Sequence, residues 1–259
     1  MPNKLFKIAI DAGHGPETKG KRSPDESLRE FQFNEVVAYL VKNQLKTYEG
    51  VEIIFTHEKH FDVPLQERTR KANKWQADLF LSIHANAYGS DWNNVSGIET
   101  FVHTSQPKSA TRLANAVQKR LVQVTKRKNR GVKSADFHVL RESNMTAILV
   151  ECEFMTCKES CELLKSTYYR RLCAEAIVQG IVDTYSLQKK EKHDNENREI
   201  ESSTLFQDVD TFRWSHSAIE QMAKKGLMNG YKDGLFRPSN PVTREELAVV
   251  LSRIMRKEE

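Results

Sequence analysis

Ile8-Ala9-Ile10-Asp11-Ala12-Gly13-His14-Gly15-Pro16 is the stretch whose reading decides the fold. Apolar and small residues ending in Asp11, then a Gly-His-Gly turn, predict a buried strand that delivers His14 into an open loop. Glycines on both sides of the histidine permit positive φ and let the loop backbone come close to an ion or substrate. A turn histidine without chemistry satisfies the same pattern, so the reading depends on partners elsewhere in the chain.

Residues 15–29 are rich in Gly, Pro, Ser and charge and read as a long loop beside that histidine. From Glu30, Phe33, Val36, Val37, Leu40, Val41 and Leu45 recur at helical spacing, and Gly50 stops the helix before a strand over 51–56. A second unit follows: a polar helix from Leu65 to Trp75, then the buried strand Asp78-Leu79-Phe80-Leu81-Ser82-Ile83-His84. Both histidines thus leave strands at their C-terminal ends, the edge of an open α/β sheet where ligands bind. Residues 97–103 read as a strand, 107–127 as a long helix, and 137–140 and 147–151 as two short strands, the second ending in Glu151. A closing helix over 168–187 completes the first domain, expected to span 1–187.

Residues 188–203 carry almost nothing apolar and read as a solvated linker. Residues 204–259 form a second, small module of two helices, 214–225 and 243–255, around the turn Gly230-Tyr231-Lys232-Asp233-Gly234-Leu235-Phe236. Thr243-Arg244-Glu245-Glu246 fits a capping box.

Composition narrows the classes. Lys plus Arg number 40 against 35 Asp plus Glu, a net charge of +5 spread without a basic block, which excludes a nucleic-acid arm. No apolar run approaches a membrane span. No signal-peptide pattern precedes the first strand, so synthesis in the cytoplasm is expected, with action on any external substrate after release. Cys152, Cys157, Cys161 and Cys173 lack a paired C-x-x-C spacing and read as reduced thiols.

His14, Glu30, His84 and Glu151 are candidates for one site. Two imidazoles and a carboxylate give zinc three protein ligands and leave a position for water, and a second carboxylate is then free to act as general base in amide hydrolysis. The ligands are scattered, and bland readings remain: Glu30 as a helix-dipole partner, Glu151 as a salt-bridged strand end.

Ile10-Asp11-Ala12-Gly13-His14-Gly15, Leu28-Arg29-Glu30-Phe31-Gln32-Phe33-Asn34, Ser82-Ile83-His84-Ala85-Asn86 and Ile148-Leu149-Val150-Glu151-Cys152-Glu153-Phe154 resemble, in order, the motifs of the zinc-dependent N-acetylmuramoyl-L-alanine amidases of the Amidase_3 type. The resemblance implies His14, Glu30 and His84 as Zn2+ ligands and Glu151 as the catalytic carboxylate. It implies an α/β fold with a mixed, mostly parallel sheet flanked by helices. The substrate would be peptidoglycan, cut between muramic acid and L-alanine, and the missing signal suggests a phage endolysin, with a sporulation autolysin or a non-catalytic wall-binding protein as alternatives. Pro16 and Glu17 stand where many relatives have Gly and Asp, and His57 where they often have Arg.

Phe206-Gln207-Asp208-Val209, Trp214, the Gly230–Pro238 turn and Val242–Ala248 resemble one S-layer homology repeat. Such repeats anchor proteins to secondary cell-wall polysaccharide, which implies Arg244 as an anion contact, with Asp233 and Trp214 as further wall-binding residues. Ligand grooves in this family lie between neighbouring repeats, so a single copy points to self-association through the tail or to weak targeting.

Overall fold

The computed structural model describes residues 5–56, 61–190, 205–209, 215–231, 233–238 and 240–255. His57 and Trp214 lie outside the described residues. Two units are separable, Met1–Lys190 and Glu191–Glu259.

The first unit runs β1 (Phe6–Ala12), α1 (Glu30–Leu45), β2 (Val51–Phe55), α2 (Leu65–Lys74), β3 (Leu79–Asn86), β4 (Ile98–Val102), α3 (Lys108–Thr125), β5 (Asn129–Ser134), α4 (His138–Arg141), β6 (Thr146–Phe154), α5 (Lys158–Lys165) and α6 (Thr167–Tyr185). Its six-stranded sheet has the order β2-β1-β3-β6-β4-β5. Every pairing is parallel except β4 with β6, so the sheet is mixed and mostly parallel, as the sequence implies.

Strand alternation assigns the two faces. Ile8, Ile10, Leu79, Leu81, Ile83, Ile148 and Val150 point into the main core with α1, α3 and α6. Ala9, Phe80, Ala147 and Leu149 point the other way, beneath Ala72 of α2 and Val139 and Leu140 of α4. Among the described residues the second face is covered by a ten-residue helix and a single turn, which leaves room for a cleft.

Three expectations are corrected. Residues 137–140 are not a strand: Phe137 begins the turn of α4, whose Leu140 N–H bonds the Phe137 carbonyl at 3.0 Å. The missing strand is β5, an edge strand of Asn, Arg, Gly and Lys whose polar composition hides its pairing with β4. Glu151 does not end its strand, because β6 continues to Phe154 and the register with β3 shifts between His84 and Asn86. Gln188–Lys190 are hydrogen-bonded to the Thr47–Glu49 turn.

The second unit contains α7 (His216–Lys224) and α8 (Arg244–Met255). The Thr243 capping box is formed: Glu246 Oε2 accepts from the Thr243 N–H at 2.8 Å, and Thr243 Oγ1 accepts from the Glu246 N–H at 3.1 Å. No helix among the described residues is long and apolar enough to cross a membrane.

Candidate active site

The site is built on a buried ion pair. Asp11, at the end of β1, accepts from Thr56 Oγ1 at 2.5 Å, Ser82 Oγ at 2.7 Å and Arg68 Nη1 at 3.1 Å. Burial acts to raise its pKa, but the Arg68 charge and the two hydroxyls outweigh it and hold the carboxyl below its ordinary value. Arg68 spends its other donors on the carbonyls of Val63 (2.9 Å), Ala12 (2.8 Å) and His14 (3.0 Å). The guanidinium therefore fixes the turn that carries His14, whose φ is +62°. Gly13 permits the approach of the second histidine, since a Cβ there would lie 2.1 Å from His84 Cε1.

Glu30, the first residue of α1, sits between the two imidazoles. Its Oε2 is 3.2 Å from His14 Nε2 and its Oε1 2.9 Å from His84 Nδ1. The Ala85 N–H and Asn34 Nδ2 also donate to Oε1, both at 3.2 Å. The rings of His14 and His84 stand edge to face, 5.0 Å apart. Ligand atoms of His14, Glu30 and His84 all lie within 4.8 Å of one another.

In the sheet His84 pairs with Glu151 and Glu151 with Glu99, so the three form one row on the thinly covered face. Glu151 is buried, and its Oε2 has no hydrogen-bond partner among the described residues. Burial pushes its carboxyl up to about 8; His84 opposes this and Glu30 adds to it. Burial pushes His14 down to about 4 against the attraction of Glu30, so this ring is neutral and able to ligate at pH 7. For His84 the bond to Glu30 outweighs burial and raises the pKa. These groups face a cleft of about 520 Å³ whose walls include Thr18, Lys21, Val63, Pro64, Phe137 and Val139.

The donor set of two imidazoles and one carboxylate suits zinc. A cation held there would lower the raised pKa of the Glu151 carboxyl and free its unpartnered oxygen to accept a proton. The residues present fit a metal centre with an adjacent base.

The sequence pattern of the family described as N-acetylmuramoyl-L-alanine amidase (Amidase_3) matches residues 8–183. The chain belongs to this amidase family. The sporulation-specific N-acetylmuramoyl-L-alanine amidase of Bacillus subtilis is 31% identical over 186 residues, covering 71% of this chain and 70% of the relative. The endolysin of Bacillus phage SPP1 is 31% identical over 185 residues, covering 71% and 67%. Among solved structures, the N-acetylmuramoyl-L-alanine amidase of Clostridium difficile 630 superposes with a TM-score of 0.66 at 32% identity, covering 70% of this chain and 96% of that one. An S-layer homology domain matches residues 205–248.

The amidase thus brings His14, His84 and Glu151 into one cleft, with Glu30 buried against the two imidazoles. Two of its supporting groups escape a sequence reading. Arg68 sits in a helix that reads as uniformly polar; its placement one turn before Ala72 and beside Thr69, all buried, is the only signal. Glu99 is buried next to Glu151 and is held by Asn86 Nδ2 at 2.7 Å, Arg130 Nε at 2.7 Å and Lys133. In the amidase's second unit Asp233 pairs with Arg237 and caps the Leu235 N–H, while Arg244 opens α8 and is exposed.

Proposed function

We propose that this amidase is zinc-dependent, that His14, Glu30 and His84 hold the ion, and that Glu151 is the general base. The observation that carries the reading is the convergence of those three donors beside the buried, unpartnered Glu151 oxygen. Zinc, when bound, acidifies a water toward neutrality and polarises the amide carbonyl. Glu151 accepts the nucleophile's proton at Oε2 and returns it to the leaving alanine nitrogen. Glu30 would share the ion with the two imidazoles, and the Asp11–Arg68 pair keeps the His14 turn in place. The bond cut is the amide between the lactyl group of N-acetylmuramic acid and L-alanine.

The reading is tested on purified Bacillus-type walls with and without a chelator. Free N-terminal L-alanine that disappears with chelator and returns with zinc is the expected result. New reducing sugars, or cuts within the stem peptide, would overturn it.

For the second unit we infer binding to secondary cell-wall polysaccharide through Arg244, whose guanidinium fork suits an acidic sugar. Self-association through the tail has support in the exposure of Leu247, Val249 and Leu251 on α8. We place the amidase as an endolysin, made in the cytoplasm and acting on the wall after release, with its likeness to the SPP1 endolysin as support. The equally similar sporulation amidase supports a mother-cell autolysin instead. Transcription at lytic induction favours the first placement, and transcription confined to sporulation the second.

A further inference from the structure

We propose that Lys21 is a specificity-determining residue: its ammonium binds a carboxylate carried by the stem peptide just beyond the scissile amide. The inference rests on the amidase reading of the cleft.

Lys21 lines the cleft, and its backbone is tied to the centre of the site. Its carbonyl accepts the N–H of Glu30 at 2.9 Å, the flanking Arg22 forms a bridge with Arg29, and the Ser23 N–H bonds Leu28 at 2.8 Å. On the other side of Lys21 the loop is pinned where Thr18 Oγ1 donates to Asp62 Oδ2 at 2.7 Å and accepts from the Gly15 N–H at 3.0 Å. A loop that reads as irregular is therefore a held scaffold, with Lys21 between its two anchor points.

Its charge is available to a ligand. Of the two Lys/Arg residues on the cleft wall, Arg68 is consumed by Asp11 and three carbonyls. Lys21 forms no ion pair among the described residues. Asp62, which also faces the cleft, is engaged by Thr18 and by the Glu17 N–H. Lys21 lines the same cleft as His14, His84 and Glu151, which puts it on the wall of the reacting centre.

The chemistry of the ligand follows from distance. An extended peptide advances about 3.5 Å per residue, so a cation anchored beside Glu30 meets groups one or two residues from the scissile bond. Alanine, the first stem residue, has no charge to offer. The next residue of a peptidoglycan stem is a glutamate joined through its side chain, which leaves an α-carboxyl as either carboxylate or carboxamide. An ammonium distinguishes these, because a hydrogen bond to a charged acceptor is markedly stronger than one to a neutral amide.

The test titrates two muramoyl dipeptides whose glutamate γ-carboxyl is capped as an amide, one with a free α-carboxylate and one with an α-carboxamide, into the zinc-loaded full chain carrying Glu151→Gln. Calorimetry should show the carboxylate bound about tenfold more tightly. The preference should vanish in Lys21→Gln and persist in Lys21→Arg, and should shrink at high salt. Equal affinity for the two ligands, or a preference that survives Lys21→Gln, overturns the proposal. Turnover of the same compounds by the native chain is a separate arm: no cleavage there strikes the amidase reading, while the binding result still decides the role of Lys21.

Discussion

Glu30, behind the two imidazoles, and Glu151, on the cleft wall, are both buried carboxylates, and their surroundings drive them in opposite directions. Burial acts to raise both; the two imidazoles outweigh it at Glu30, whereas Glu151 keeps a raised pKa and an oxygen with no partner. In the mechanism proposed above, the first stays charged to hold a cation and the second exchanges a proton. Glu151→Gln should therefore retain the metal, by elemental analysis, and lose about 10²- to 10⁴-fold in the release of N-terminal alanine. Loss of metal in that variant would make Glu151 a ligand. Asp11 gives a second outcome at this scale. Its folded pKa is depressed, so its contribution to stability is complete above the unfolded value of about 3.9 and is lost as pH falls through the folded value. Asp11→Asn leaves Arg68 buried without its carboxylate and should cost about 3–5 kcal/mol at pH 7 in urea unfolding. The gap from the native chain should narrow as the pH drops below the folded pKa.

Elements were legible in the sequence wherever one physical signal dominated. β1, β3 and the front of β6 are runs buried on both faces, and α1 carries an apolar stripe, so strand and helix declare themselves. His14 and Glu30 flank the ends of such elements, which made them candidates, whereas His84 and Glu151 fall inside β3 and β6. β5 was not, because an edge strand needs few apolar residues, and neither was α4, whose Phe-His-Val-Leu alternates like a strand yet closes as a turn. Arg68 and Glu99 were hidden because their burial is created by partners from distant segments, which local sequence does not record. Packing of α3 on α6 was equally silent. It depends on Gly180, where a Cβ would meet Val117 Cα at 2.7 Å and Cγ2 at 2.7 Å. Gly180→Ala must separate the helices or strain them, and should destabilise the first unit by about 1–3 kcal/mol, read as a lower urea midpoint with the slope unchanged. A stabilised variant, from the helix propensity of alanine alone, would show that the interface yields freely.

Over the whole chain, chemistry and attachment are carried by separate units. All four site residues belong to the first unit, whose main core is built from β1, β3, β6, α1, α3 and α6 and whose last residues are fastened to the Thr47–Glu49 turn. The second unit buries Val209, Ile219 and Leu227 and leaves the apolar side chains of α8 largely exposed. A chain ending at Lys190 should therefore keep the native turnover of a soluble muramoyl peptide. On intact walls the outcome differs, because a tethered wall-binding unit raises the local concentration of substrate without touching the reacting atoms. The truncated chain should sediment less with purified walls and digest them more slowly at low enzyme concentration, with the difference fading once enzyme saturates the wall. If α8 joins copies, the full chain should also show concentration-dependent association in analytical ultracentrifugation, abolished by Leu247→Glu and absent from the truncated chain. Equal wall retention by both chains would mean that the cleft itself, and not the second unit, supplies the attachment.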